Sequence, residues 1–299
     1  MLVAAGALAA TLTALVLVLP RRLARARWPA RAPGFALLLW QAAGLAGGLL
    51  CLELAATLAL APLGDTHLAA LRRLATGPPP LTSWLAGAIG LLLLGRLLGV
   101  LLASTARTVL ARRRNRVLVD LVSSRHLLLR GADVVDHDLP LAYCLPGLRP
   151  RMVLSRGVLA RLSYAEVQAV LAHEQAHLAQ RHDLVVLPFV ALGRTFPQVP
   201  AVRTARSEVA LLIELLADDR AARRHDRGHL AQALCKLGST GAAPAGGLAA
   251  AREDVLLRAR RLLAPADPLP VAGRAACVVA SVGVAASPLV GLVVPLLLR

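Results

Sequence analysis

Two histidines four residues apart, with a glutamate beside the first, stand in the stretch His173-Glu174-Gln175-Ala176-His177, an H-E-x-x-H pattern in apolar surroundings. On a helix, positions i and i+4 share one face, so both imidazoles can reach a single metal ion. Glu174 is then placed to take a proton from a water that the metal activates. The chemistry is metal-assisted hydrolysis, and the pattern is that of the active-site helix of a zinc peptidase. With 8 His in 299 residues, chance supplies it on the order of a few times per thousand chains of this composition.

A catalytic zinc site typically takes three protein ligands and leaves one position open, so a third ligand is required. The candidates downstream are His182, Asp183, Glu208, Glu214, Asp218, Asp219, His225, Asp226 and His229. His182 and Asp183 would need an abrupt bend to return to the metal, and read better as helix-end groups or partners of the ligands. Glu214 and Asp218 are the stronger pair, one helical turn apart between Leu211-Leu212-Ile213 and Leu215-Leu216. Glu214 would bind the metal while Asp218 accepts the N–H of a ligating imidazole and so sets its tautomer. The alternative is a solvated acidic stripe.

The elements that must hold these residues can be read from local signals. Ser163-Tyr164-Ala165-Glu166 is a capping box, and Val167, Val170, Leu171 and Leu178 form the buried stripe of the helix it starts. That helix is expected to run to about residue 187, where Pro188 interrupts it; the apolar run 184–192 is too short to span a membrane. Residues 140–145 and 152–155 are β-prone runs on either side of Pro146-Gly147-Leu148-Arg149-Pro150, and read as a strand pair. Helices are expected at 207–224 and 252–263, with a small-residue loop at 238–247.

The chain is 57% hydrophobic with a mean hydropathy of +0.63, too apolar for an ordinary soluble protein. Apolar runs at 1–20, 35–63, 81–104 and 275–298 are each long enough to cross about 30 Å of hydrocarbon. Arg21, Arg22, Arg25, Arg27 and Arg31 follow the first run, and Arg107, Arg112, Arg113, Arg114 and Arg116 follow the third. A secretory signal would carry its charge before the apolar run. By the positive-inside rule both clusters are cytoplasmic, which puts residues 64–80 outside and the H-E-x-x-H segment inside. The expected organisation is a three-helix membrane region at 1–104, a cytoplasmic α+β peptidase domain at 105–273, and a fourth membrane helix at 274–299. The fold class is thus a mainly α multi-pass protein of the cell membrane.

Glu53 and Arg96, inside the second and third runs, each call for a partner or a cavity, and a pair with each other would meet that need. Residues 109–129 alternate arginine with Val and Leu, as an amphipathic helix on an anionic inner leaflet or a solvated linker helix would.

The net charge of +17 does not imply nucleic acid. Lys236 is the one lysine among 34 basic residues and Asn115 the one asparagine, the signature of a GC-rich coding sequence, and aromatics at 3% are too sparse for base stacking. No direct nucleic-acid binding is expected. Cys51 and Cys277 sit in apolar runs, and Cys144 and Cys235 are far apart, so neither a disulfide framework nor a cysteine zinc site is indicated.

His173-Glu174-x-x-His177 with the downstream Glu214-x-x-Ala217-Asp218 resembles the gluzincin peptidases that include the HtpX-type membrane proteases. Pro140-x-x-Tyr143-Cys144-x-Pro146-Gly147, Val153-Leu154-Ser155 and Leu257-Arg258-x-x-Arg261-Leu262-Leu263 are similar as well. Three apolar runs before the catalytic segment and one after it resemble the BlaR/MecR branch, the antibiotic-sensing membrane metallopeptidases. The resemblance implies a Zn2+ held by His173, His177 and Glu214, with Glu174 as general base. It also implies a cytoplasmic protein substrate, a winged-helix repressor of the BlaI type. The β-lactam sensors of that branch carry an extracellular penicillin-binding domain after the fourth span; none is found in these 299 residues, and the stimulus is left open. Two other readings are an HtpX-like quality-control protease and a non-catalytic membrane scaffold with a structural zinc; the intact Glu174 argues against the scaffold. Tyr143, Tyr164, His225 and His229 are the side chains that could donate to an oxyanion.

Overall fold

A computed structural model describes residues 1–125, 132–147, 150–238, 248–265 and 267–289. The longer helices and the strands, in chain order, are α1 (Leu2–Leu17), α2 (Pro33–Leu60), α3 (Leu81–Val122), β1 (Ser123–Arg125), β2 (Ala132–Val135), β3 (Ala142–Leu145), β4 (Arg151–Ser155), α4 (Tyr164–Ala179), α5 (His182–Thr195), α6 (Pro200–Ala221), α7 (Arg227–Gly238), α8 (Leu248–Leu263) and α9 (Val271–Ala286). They fall into two compact units, one of residues 1–104, 188–209 and 269–299 and the other of residues 105–187 and 210–268.

In the first unit α1 and α9 pack on α2. Four helical stretches, Leu2–Arg25, Pro33–Leu63, Leu81–Leu121 and Val271–Leu289, are long and apolar enough to cross a membrane. Leu91, Leu92 and Leu102 are largely exposed, which suits an apolar solvent better than water. Gly90 lets α3 approach α2, since a Cβ there would lie 3.1 Å from that of Ala55. The expected fourth run, 275–298, begins in α9, and its part beyond Leu289 lies outside the described residues.

The expected Glu53–Arg96 pair is not formed. Arg96 donates from Nε and Nη2 to the carbonyl oxygen of Thr195, at 3.4 and 3.1 Å, while Oε1 of Glu53 is buried with no hydrogen-bond partner among the described residues. Thr195 ends α5, where carbonyls have no partner within the helix and the dipole is negative, so that end competes with a carboxylate for the guanidinium.

The second unit is built on a four-stranded sheet of order β1-β2-β4-β3. β3 and β4 pair antiparallel with Tyr143 opposite Val153, which is the strand pair expected from the sequence. β2 joins β4 in parallel and β1 joins β2 antiparallel. The helix expected over 109–129 proves to be the end of α3, which stops at Val122. Ser123–Arg125 turn into a strand, and 126–129 lie outside the described residues.

One sheet face, with Val134, Met152 and Leu154, packs on Val167, Val170 and Leu171 of α4. The other, with Val135, Leu145 and Val153, packs on Val119 of α3. A second apolar cluster joins Ala169 of α4 to Ala221 at the end of α6, Leu230 and Ala231 of α7, and Ala259 and Leu262 of α8. These contacts bring α4, α6 and α8 together.

Two boundaries differ from expectation with consequences for the site. α4 ends at Ala179 rather than near residue 187, because Arg181 adopts a left-handed conformation (φ 48°) and a new helix, α5, starts at His182. Pro188 then lies inside α5 without ending it. α6 starts at Pro200 rather than Ser207 and ends at Ala221, with Pro200 at the first position, where its missing N–H costs nothing. α8 likewise begins at Leu248 rather than Arg252. α7 reaches Gly238, and the rest of the 238–247 loop lies outside the described residues.

Candidate metal centre

α4 begins with the capping box seen in the sequence: Ser163 Oγ accepts from the Glu166 amide at 3.4 Å, and Glu166 Oε2 accepts from the Ser163 amide at 2.7 Å. Glu166 is buried and also receives Lys236 Nζ of α7 at 2.6 and 2.8 Å. The first turn of α4 is therefore anchored at its cap and against α7. From there the helix carries His173, Glu174 and His177 to one end of the apolar core.

Nε2 of His173 lies 3.1 Å from Nε2 of His177 and 3.4 Å from Oε2 of Glu214. Nε2 of His177 lies 3.5 Å from Oε1 of Glu214. Tetrahedral zinc with bonds of about 2.0–2.2 Å needs donor atoms about 3.3–3.6 Å apart. The three side chains thus turn their donors to one point at close to that spacing, and two imidazoles plus a carboxylate is a donor set that zinc takes. His173, His177 and Glu214, singled out in the sequence, are thus brought together as a group that could hold a metal ion.

Each group is held from behind. Nδ1 of His173 faces Oδ1 of Asp218 at 2.9 Å. Asp218 in turn receives Nε and Nη2 of Arg258, both at 2.8 Å, and Nη1 of Arg258 lies 2.7 Å from Oε2 of Glu214. Nδ1 of His177 meets Nδ1 of His182 at 2.9 Å, and Nε2 of His182 meets Oε1 of Gln180 at 2.8 Å. If Nε2 of His177 faces a metal, one tautomer assignment satisfies the chain: His177 donates to His182, and His182 donates to Gln180.

The bend at Arg181 returns His182 to His177, so His182 meets a candidate ligand from behind, one of the two places read for it in the sequence. Among the other candidates, Asp183 pairs with Arg112 at 2.7 Å and Asp219 with Arg261 at 2.6 Å. Asp226 lies 3.7 Å from Nδ1 of the half-exposed His229. Arg258 was visible only as part of a late motif. The signal for its role is its place on the buried stripe of α8, in line with Ala259 and Leu262.

Burial and charge divide the two histidines. Burial disfavours charge on His173, but the Asp218 and Glu214 carboxylates, accepting from its ring N–H groups, outweigh this and raise its pKa to about 9. His177, with less compensation, is driven by burial down to about 4. Burial would raise both carboxylates, yet Glu214 is held at about 2 by His173 and Arg258, and Asp218 at about 2 by Arg258 and His173. For Glu174 burial outweighs the nearby His173 and lifts its pKa above the ordinary glutamate value.

Glu174, His177 and Glu214 line a cavity of about 440 Å³ whose other wall is Ala142, Tyr143 and Cys144 of β3. Cys144 is pushed up to about 12 by burial and by the neighbouring Glu174, so its thiol stays protonated. Of the four residues considered as oxyanion donors, Tyr143 lines this cavity. Tyr164 is exposed at the start of α4, and His225 and His229 lie beyond the end of α6.

Residues 109–217 match the model of peptidase family M48. The matched segment contains the sheet, the whole of α4 and Glu214, and stops one residue short of Asp218. It supports a metallopeptidase, and M48 peptidases are zinc-dependent. No curated protein and no solved structure matches the chain.

Proposed function

We propose that this chain is an integral-membrane zinc endopeptidase that hydrolyses peptide bonds of a cytoplasmic protein. The observation that carries the reading is the convergence of His173, His177 and Glu214 at 3.1–3.5 Å beside the buried Glu174, in a cavity walled by β3.

His173, His177 and Glu214 are the residues that would hold the ion. Bound there, zinc supplies polarisation of the scissile carbonyl and a water whose pKa falls toward ~7. Glu174, with its pKa raised by burial, takes the proton of that water on its carboxylate and passes it to the leaving amine. Tyr143, also shifted upward by burial, keeps its proton and offers its O–H to the developing oxyanion. β3 ends the sheet order, and its outer edge can pair with an extended substrate.

The four long apolar helices support a multi-pass membrane location, and the arginines after the first and third support a cytoplasmic peptidase segment. Residues 1–104 and 274–299 are then the membrane regions around a peptidase domain at 105–273. Resemblance to the BlaR/MecR branch makes a BlaI-type repressor the favoured substrate and gene regulation the favoured role.

The test compares cellular protein fragments made with the wild type and with Glu174→Ala. The reading expects fragments that are lost with Glu174→Ala while the variant keeps its zinc. Equal cleavage of the same substrate by purified Glu174→Ala would overturn it.

A further inference from the structure

Arg258 lies on α8, 40 residues beyond Asp218 in the chain and outside the segment that matches the peptidase family. It is buried, and it does not line the cavity that contains Glu174, His177 and Glu214. Its guanidinium bears on the candidate ligands rather than on the cavity, and its Nη2 also lies 3.5 Å from Nε2 of His173. Three of its nitrogens meet three carboxylate oxygens: Nε and Nη2 meet the two of Asp218, and Nη1 meets Oε2 of Glu214.

The geometry has two effects. Asp218 is turned so that Oδ1 also faces Nδ1 of His173. Oε2 of Glu214, 3.4 Å from Nε2 of His173, is held by Nη1 of Arg258, while Oε1 faces His177, so the guanidinium fixes the orientation of a carboxylate that faces both histidines. Without the guanidinium, two carboxylates one helical turn apart would repel each other, and Asp218, almost wholly buried, would be left without its cation. A lysine ammonium is a point charge and cannot hold the three oxygens in this fixed fork.

We propose that Arg258 is a positioning residue of the metal centre: it sets Asp218 against His173 and fixes the orientation of the Glu214 carboxylate, so that α8 completes a site whose ligands all lie on α4 and α6. The inference rests on the metal-centre reading above.

The experiment is zinc affinity of the full-length protein in detergent, measured by competition with a chromogenic chelator, for wild type, Arg258→Lys, Arg258→Ala, Asp218→Asn, Glu214→Gln and the Arg258→Ala/Asp218→Asn double variant. Arg258→Ala is expected to weaken zinc binding by about 10–100-fold, the usual effect of removing a group behind a ligand. Arg258→Lys weakens it too, although the charge is kept and the zinc-free protein melts as the wild type does. The loss in the double variant is smaller than the product of the two single losses, because Arg258 acts in part through Asp218. Wild-type affinity in Arg258→Lys, or losses that multiply in the double variant, would overturn the proposal even if Arg258→Ala failed to fold. Failure of the metal-centre reading itself looks different: wild type and Glu214→Gln would then both bind no zinc.

Discussion

Nδ1 of His182 lies 2.9 Å from Nδ1 of His177, although the two residues belong to different helices. The left-handed turn at Arg181 makes the contact possible, and Gln180 closes it from the far side at 2.8 Å. His182 therefore holds the tautomer of His177 as Asp218 holds that of His173. Replacing His182 with alanine should lower zinc affinity about tenfold or more, and Gln180→Ala should have a smaller effect in the same direction. Unchanged affinity in a chelator competition with His182→Ala would show that the contact does not support the site.

Zinc that binds the folded chain must also stabilise it. At a free zinc concentration one hundred times its dissociation constant the gain is about 2.7 kcal/mol. Thermal melting of the detergent-solubilised protein should shift upward with added zinc and return on chelation, and the shift should be much reduced in Glu214→Gln. A melting curve indifferent to both zinc and chelator would count against the metal centre.

The buried Glu166 carries a pH dependence. Burial would raise its pKa, but Lys236 and the Ser163 amide more than offset this, and the group stays below its ordinary value in the fold. The stabilisation is thus fully present above the unfolded glutamate pKa and is lost as pH falls through the lower folded one. Lys236→Met should cost about 1 kcal/mol at neutral pH, since Lys236 is half-exposed. The difference from wild type should shrink on acidification, and denaturant midpoints for the two proteins across the acid range measure it. A constant difference would assign the effect to packing.

Gly157 donates its amide to the carbonyl of His137 at 3.0 Å, and a Cβ at this position would collide with the backbone carbonyl of Asp138. Gly157→Ala should destabilise the peptidase unit by about 1–3 kcal/mol. A melting temperature equal to that of the wild type would show that the 136–139 segment moves aside freely.

Local order made much of this protein legible from its residues alone. The H-E-x-x-H spacing, the capping box at Ser163 and the period of Val167, Val170 and Leu171 depend only on a 3.6-residue repeat, and α4 bears them as expected. The strand pair around Gly147 and the long apolar runs are equally local signals. The choice of Glu214 and Asp218 went further, because two carboxylates one turn apart between leucines have few other reasons to be there.

The remainder depended on packing. Nothing local to Arg181 announces a left-handed residue, and the bend there decides that His182, read as a helix-end group or a partner of the ligands, meets His177. Arg96 was matched to Glu53 by charge, yet a helix end competes successfully for it. Arg258 reaches Glu214 and Asp218 because Ala169, Ala221, Leu230, Ala259 and Leu262 pack α4, α6, α7 and α8 into one cluster. Spacing along one helix sets which side chains share a face, so the residues alone determined that His173, Glu174 and His177 lie together on α4. Which carboxylate and which cation meet them is set by the burial of apolar faces far apart in the chain, and that was decided only by the tertiary structure.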